Sequence, residues 1–440
     1  MQIVSKPINI VIAGGNYAGL SAAKNLYIKL LATNPDYDGT KQAPPNPNVK
    51  ITLIDRRNGF IHYLGMTRGI SQPEYGSKLW LPYSDLPWLQ HSSIAVKKNI
   101  ISRITPTHVE LADDDEHVAF DYLVIALGQS RNAPIGVASS TKAEYLEAMS
   151  KYQTSVKNSQ SIVVVGGGAV GTELVADIKS DYPQKDVTLI HSRDLPIPGP
   201  FMDEFRHHVV DILHSLGVNT VFGERVIDEA SELESFSSQP HKYAGIVPEL
   251  VDSIKRNATI TTSSGRVFQA DLVFNTLGAK TKAPLVDLPS STDAPIFSPT
   301  GIRVTDSMQI NDPKYPNIFA VGDVCNRDLV KLAGAAASTG GLAGINIAKL
   351  VSALSGEQVE LDVSSRGRGR GRGEKDGQRS APLYGHMKLV LGEYNAVIHK
   401  GDGVIPPEVA KTMVAPDMKL GKALKQMFIG TFPVNRKQRD

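Results

Sequence analysis

Short, continuous apolar runs alternate along this chain with stretches of helical spacing, and two of the runs stop at glycines. Ile8-Asn-Ile-Val-Ile-Ala13 leads into Gly14-Gly15-Asn16-Tyr17-Ala18-Gly19, and Ser161-Ile-Val-Val-Val165 into Gly166-Gly167-Gly168-Ala169-Val170-Gly171. Runs this short and this apolar predict strands buried in a parallel sheet. The small residues after them predict an abrupt hand-over from strand to helix. The same patterns then follow each turn. A second strand comes next, Val49-Lys-Ile-Thr-Leu-Ile-Asp55 in one case and Asp186-Val-Thr-Leu-Ile-His191 in the other. A closing strand completes each set, Phe120-Asp-Tyr-Leu-Val-Ile-Ala-Leu-Gly128 and Ala270-Asp-Leu-Val-Phe-Asn-Thr-Leu-Gly278. The chain reads as an α/β protein duplicated at the scale of a domain.

Other stretches carry different patterns. Tyr315-Pro-Asn-Ile-Phe-Ala-Val-Gly322-Asp323 predicts one more strand, ahead of a helix of small residues from about Lys331 to Val351. The stretch from about Thr33 to Asn48, rich in Pro, Asn and Asp, reads as a surface insertion. Arg366 to Arg379 is dominated by arginine and glycine and cannot bury a core, so it reads as a disordered loop. A contact for RNA or anionic phospholipid is the sharper alternative, although no aromatic residue interleaves these arginines. From Pro407 to Phe432 the spacing is helical, with Leu420, Leu424, Met427 and Phe428 on one face and Lys419, Lys422 and Lys425 on another. Such a helix suits a membrane surface and equally suits packing on its own domain.

The glycine turns suggest the chemistry. A helix that begins hard against a strand end presents its first N–H groups and the positive end of its dipole outward, which suits a pyrophosphate. Glycines permit the tight turn, the approach of phosphate to backbone, and close packing of helix on strand. Gly166, Gly168 and Gly171 fill all three places in the second turn. In the first, Gly14 and Gly19 fit, with Gly15 between them, but Asn16 holds the middle place. Asparagine tolerates positive φ, and its side chain must then point away from the phosphates. Two such turns suggest two dinucleotides in one chain. Asp55 ends the strand after the first turn, where a carboxylate accepts hydrogen bonds from a ribose diol. His191, Ser192 and Arg193 take the matching place after the second, with no acid to repel a 2′-phosphate. That site reads as permissive for NADPH, with Arg193 as a solvated strand-end residue the plainer alternative. Gly128 and Gly278 end the closing strands, where backbone could pass close to a nucleotide.

Composition narrows the field. The 440 residues suffice for two or three domains, and a formal net charge of +2 gives no general pull toward nucleic acid. The single cysteine, Cys325, excludes an intrachain disulfide and any redox-active cysteine pair, so electrons must leave to an external acceptor. The eleven histidines show no metal-ligand spacing, and no metal is expected. His207 and His208 are adjacent on a predicted helix and diverge by about 100°. No apolar run reaches the roughly 18 residues that read as a membrane-spanning helix. The first strand starts at Ile8, leaving no room for a signal peptide, and Gln2 excludes N-myristoylation, so the expected compartment is the cytosol.

Together these motifs resemble the two-dinucleotide-binding-domain flavoproteins of the pyridine-nucleotide oxidoreductase superfamily, over about residues 7–350. Within it the chain is most similar to the apoptosis-inducing-factor-like group that includes ferroptosis suppressor protein and fungal members. Val-Thr-Leu-Ile-His-Ser at 187–192 is typical of the ferroptosis-suppressor-like branch. The resemblance implies two Rossmann-like domains: an FAD-binding domain over 1–135 and 295–355, interrupted by an NAD(P)H-binding domain over 136–294. A disordered Arg/Gly-rich insertion over 356–380 and a C-terminal segment over 381–440 follow.

The same resemblance assigns roles. FAD falls to Gly14, Gly15, Gly19 and Asp55, with Gly322 and Asp323 completing the site and Arg68 matching a family arginine. NAD(P)H falls to Gly166, Gly168 and Gly171, and Glu173 matches a glutamate placed near the nicotinamide. Lys331 follows Gly322-Asp323 closely, where a cation would stabilise reduced flavin or polarise a quinone carbonyl. Plainer readings stay open: Asp323 as a helix N-cap, Glu173 as a first-turn acid favourable to the dipole, Lys331 as an exposed lysine. The implied activity passes a hydride from NAD(P)H to FAD and electrons onward to a quinone-like acceptor. The C-terminal segment would help form a lipophilic tunnel and touch a membrane peripherally. Two alternatives remain, a flavoenzyme acting on a specific metabolite in a secondary pathway and a cofactor-gated binding protein that reports redox state.

Overall fold

The structure, a computed structural model, describes residues 6–32, 48–113, 116–131, 135–136, 138–197, 199, 201–227, 254–277, 280–281, 285–327, 331–353, 359–363, 387–401, 403–413 and 417–427. Gly278, Phe428, most of the predicted 33–48 insertion and the whole Arg366–Arg379 stretch lie outside the described residues.

The first apolar run forms β1 (Ile8–Ala13), which turns into α1 (Tyr17–Leu26) and is followed by β2 (Val49–Asp55), β3 (Ile94–Lys98) and β4 (Tyr122–Ile125). The second forms β5 (Ser161–Val165) and α2 (Ala169–Asp181). After these come β6 (Asp186–Ile190), β7 (Asn219–Val221), β8 (Val226–Ile227), β9 (Ile254–Thr262) and β10 (Val267–Asn275). The chain continues with β11 (Ile318–Ala320) and α3 (Ala333–Ser352). It ends with β12 (Met387–Leu391), β13 (Asn395–His399), β14 (Val404–Ile405) and α4 (Leu420–Met427).

One sheet has the order β11-β4-β1-β2-β3 and is parallel throughout. Its outer strand β11 arrives only after the whole second sheet, so the first unit closes on chain that returns to it. The second sheet runs β7-β6-β5-β10-β9-β8, parallel from β7 to β10 and antiparallel beyond. The continuous apolar runs have a direct cause. In β1, Ile10 and Ile12 join a core with α1 and α3, while Val11 and Ala13 join the core on the opposite face. Successive side chains of a strand alternate, so both parities must be apolar when both faces are covered. Each isoleucine so buried contributes about 1.5–3 kcal/mol.

The small-residue helix α3 lies across α1. A Cβ on Gly340 would stand 2.0 Å from the Ala18 carbonyl oxygen, so glycine sets how closely the two helices approach. The helix starts two residues later than expected, with Leu332 at its N-cap position, so Asp323 is not its cap.

The C-terminal strands form their own sheet, β12-β13-β14, against the second unit. Met387, Leu389, Leu391, Val397 and Leu420 share one buried cluster with Leu174 and Ile178 of α2. Leu420 and Leu424 of α4 pack on that cluster, and Lys422 and Lys425 are exposed. The described part of its apolar face is therefore turned into the protein. Among the described residues, no helix is long and apolar enough to cross a membrane.

Candidate active site

Both turns keep the backbone that the glycines suggested. Gly14 and Gly166 have φ of +105° and +114°, a region that a side chain would strain. Gly19 and Gly171 pack against those same residues, where a Cβ would come 1.7 and 1.9 Å from the carbonyl oxygens of Gly14 and Gly166. Asn16 corrects one expectation. It is the N-cap of α1 with φ −97°, so the middle place requires no positive φ; the turn places it at Gly14 instead. Its Oδ1 accepts from the Tyr17 N–H at 2.7 Å and its Nδ2 donates to the Ile61 carbonyl at 3.2 Å, so the protein engages both ends of the amide. Gly168 is the N-cap of α2, and a Cβ there would meet nothing within 4 Å. Neither α1 nor α2 has an acid in its first turn to compete with a bound anion. That open backbone fits the phosphates of a dinucleotide.

A cavity of about 350 Å³ lies beside the first turn. Gly14, Asn16, Asp55, Gly128, Gly322, Asp323 and Lys331 line it, and across from them so do Ala169, Val170 and Glu173 of α2. The first and second units thus share one chamber, which Met387, Lys388 and Leu389 of the C-terminal sheet also line. Asp55 is buried; its Oδ2 accepts from the Gly15 N–H at 2.6 Å and its Oδ1 from the Arg57 N–H at 2.8 Å. Arg57 also lines the cavity and donates to the Tyr63 hydroxyl at 2.6 Å. Arg131 Nη2 donates to Asp323 Oδ2 at 3.1 Å, and Lys331 Nζ donates to the Cys325 carbonyl at 2.5 Å.

Glu173 is half-buried and its carboxyl accepts from the Val390 N–H at 3.3 Å. Burial pushes its pKa up to about 8 and the neighbouring Asp177 adds to this, against the Val390 N–H and Arg68. The residue stands in the second turn of α2, so favouring the helix dipole does not account for it. Tyr17, also on the wall, has its hydroxyl 3.0 Å from His62 Nδ1, and His62 Nε2 is 3.0 Å from the Met418 carbonyl. A carbonyl can only accept, so Nε2 carries the ring proton and Tyr17 donates to Nδ1. Burial keeps the ring neutral by pulling its pKa below the ordinary histidine value.

Other predicted residues lie elsewhere. Arg68 does not reach the cavity: its Nη2 lies 3.2 Å from Asp177 Oδ1 and 2.7 Å from the Gly392 carbonyl, both side chains 1% exposed. It ties the first unit to α2 and the C-terminal sheet. Gly15, Gly19, Gly166, Gly168 and Gly171 shape the turns without lining the chamber. Beyond β6, Ser192 and Arg193 are exposed, while His191 is buried under the second turn. His191 Nδ1 accepts from the Gly167 N–H at 3.1 Å, and burial together with the Arg193 charge lowers its pKa. It supports the turn as a neutral ring.

Sequence reasoning passed over Arg57, Arg131 and the β12 residues. Arg57 stands two places after Asp55 and was within reach of the same argument; the others meet the chamber only through tertiary packing. It also missed a group outside the chamber. Against the expectation of no metal pattern, His108, Glu110 and His117 place ligand atoms within 4.8 Å of one another. Pairing between strands brings them together, which spacing along the chain does not reveal.

A family model described as pyridine nucleotide-disulphide oxidoreductase matches residues 8–340. The chain is 30% identical over 363 residues to oxidoreductase OXR1 of Ajellomyces capsulatus, covering 78% of this chain and 74% of that protein. Apoptosis-inducing factor homolog B of Dictyostelium discoideum is 28% identical over 367 residues, covering 80% and 83%. Ferroptosis suppressor protein 1 of Homo sapiens is 25% identical over 358 residues, again covering 80% and 83%. Among solved structures, the water-forming NADH oxidase from Lactobacillus brevis bound to NADH aligns with a TM-score of 0.59 at 19% identity, over 89% of this chain and 74% of that one.

Proposed function

The chain belongs to the pyridine nucleotide-disulphide oxidoreductase family, as an apoptosis-inducing-factor-like flavoprotein using FAD and NAD(P)H, and from that premise we propose that it delivers electrons to a quinone-like acceptor. The observation that carries the reading is the single chamber lined both by the first glycine turn and by the start of α2. A nicotinamide held by the second turn and a flavin held by the first would meet there. When bound, FAD supplies the chemistry of accepting a hydride and releasing electrons to a second substrate.

The residues divide the remaining work. N–H groups at the start of α1 and α2 would hold the pyrophosphates, and Asp55 would offer its remaining lone pairs to the adenosine ribose. Asp323, steadied by Arg131, would accept from the ribityl hydroxyls. Protonated Glu173 would serve as a donor to the nicotinamide carboxamide. Lys331 would bring positive charge toward the flavin, where negative charge grows on reduction. Ser192 and Arg193 leave the second site open to a 2′-phosphate.

Two features support a quinone-like acceptor over a disulfide. A dithiol relay within the chain needs a second cysteine, and Cys325 has none to pair with. The chamber wall also carries Leu64, Ile135, Leu285 and Leu389, a surface that suits a flat apolar ring. Steady-state oxidation of NADPH with a soluble quinone, oxygen or a small disulfide as acceptor tests this. Turnover fastest with quinone is expected; a faster rate with the disulfide, or none with quinone, refutes the proposal.

A further inference from the structure

Outside the chamber, three short strands, Ile101–Ile104, His108–Leu111 and His117–Ala119, form an antiparallel sheet. Register pairs Glu110 with His117 across the second and third strands. His108 and Glu110 are two residues apart on one strand, so all three side chains project from the same face. The rings of His108 and His117 meet edge to face with centroids 4.8 Å apart, and the ligand atoms of the trio lie within 4.8 Å of one another.

The local hydrogen bonds settle which ring nitrogen of His108 is available. The hydroxyl oxygens of Thr105 and Thr107 lie 3.0 and 3.1 Å from His108 Nδ1, so the protein occupies that nitrogen. Nε2 is left facing Glu110 Oε1 at 3.4 Å. With the ring proton on Nδ1, Nε2 and the carboxylate present lone pairs to a cation held between them.

We propose that His108, Glu110 and His117 form a binding site for a zinc-class divalent cation. The separation of His108 Nε2 and Glu110 Oε1 matches the roughly 3.3 Å between ligands of a tetrahedral ion bonded at about 2.0–2.1 Å. The exposed His117 closes the remaining gap by rotating its side chain. Two imidazoles and a carboxylate are the donors such an ion takes, and the fourth position falls to water. Thr105 orients the His108 ring from behind, as outer partners of metal-bound histidines do. Arg103 is the competitor: its Nη1 lies 3.4 Å from Glu110 Oε1, but its Nε donates to Asp287 at 3.0 Å, which holds the guanidinium when a metal takes Glu110.

Zinc binding to the flavin-loaded full chain, measured by calorimetry and by metal content after dialysis, tests the proposal. One tightly held zinc per chain is expected, weakened at least about tenfold in both His117→Ala and His108→Ala. Arg103→Gln, which removes the competing cation, tightens binding. No bound zinc in the parent chain overturns the site, as does zinc retained unchanged in both histidine variants.

Discussion

The carboxyl of Glu173 faces the chamber with Asp177 one helical turn further along α2 and the Val390 N–H at 3.3 Å. With its pKa raised to about 8, it holds a proton at neutral pH. The role proposed for it uses that proton, so kcat/KM for NAD(P)H should be level below about pH 8 and fall above it. Glu173→Gln keeps a donor that cannot ionise; it should flatten the alkaline limb while changing the neutral rate by less than about tenfold. An unchanged inflection in that variant would rule the role out. Stability carries the same sign. The folded state binds this proton more tightly than the unfolded chain, so stability falls as pH rises from the ordinary glutamate value toward 8, and Glu173→Gln removes that dependence. Arg193 makes a second prediction at this scale. Arg193→Glu should move the ratio of kcat/KM values from NADPH toward NADH by about tenfold or more, because a carboxylate repels the 2′-phosphate; a fixed ratio counts against the 2′-phosphate reading. The glycines and Asp55 were legible because a turn and its strand end are local. Asn16 was misjudged because the strained φ belongs to Gly14, a distinction that needs backbone coordinates.

Elements meet at Arg68. Its guanidinium joins the helix Met66–Ser71 to Asp177 of α2 and to the Gly392 carbonyl beyond β12, all in the buried interior. Burial still pushes the Asp177 pKa up to about 6, and Arg68 is the main influence holding it down. Removing the arginine strands a buried carboxylate, so Arg68→Ala should cost about 3–5 kcal/mol in a denaturant or thermal melt. Adding Asp177→Leu should recover a good part of the loss. A single variant that melts like the parent would show that the pair does not hold the units together. The sequence announced strands and helices well where both faces are covered, as in β1 and β5. It located the C-terminal segment less well. Nothing local in Met387–Leu391 says that it packs on α2 or that it walls a chamber. The apolar stripe of α4 fitted a membrane or a protein core equally; its described residues pack on protein, because the cluster around Leu174 and Leu389 offers a surface for them.

At the scale of the whole molecule, the return of the chain to the first unit was implied by the family resemblance, and the duplicated strand-turn-helix pattern foretold two parallel-sheet units. It could not foretell that both units open on one chamber, because that depends on how two separately coded surfaces dock. In the proposed function the chamber is what would make two nucleotide sites into one catalyst, since a hydride passes only between rings in contact. The direct test is an anaerobic absorption titration of the purified protein with NADPH, followed by a soluble quinone. Bleaching of the flavin band on NADPH, with prompt return on quinone, is the expected result. A flavin band that NADPH leaves untouched would contradict the shared chamber as a route between the two cofactors.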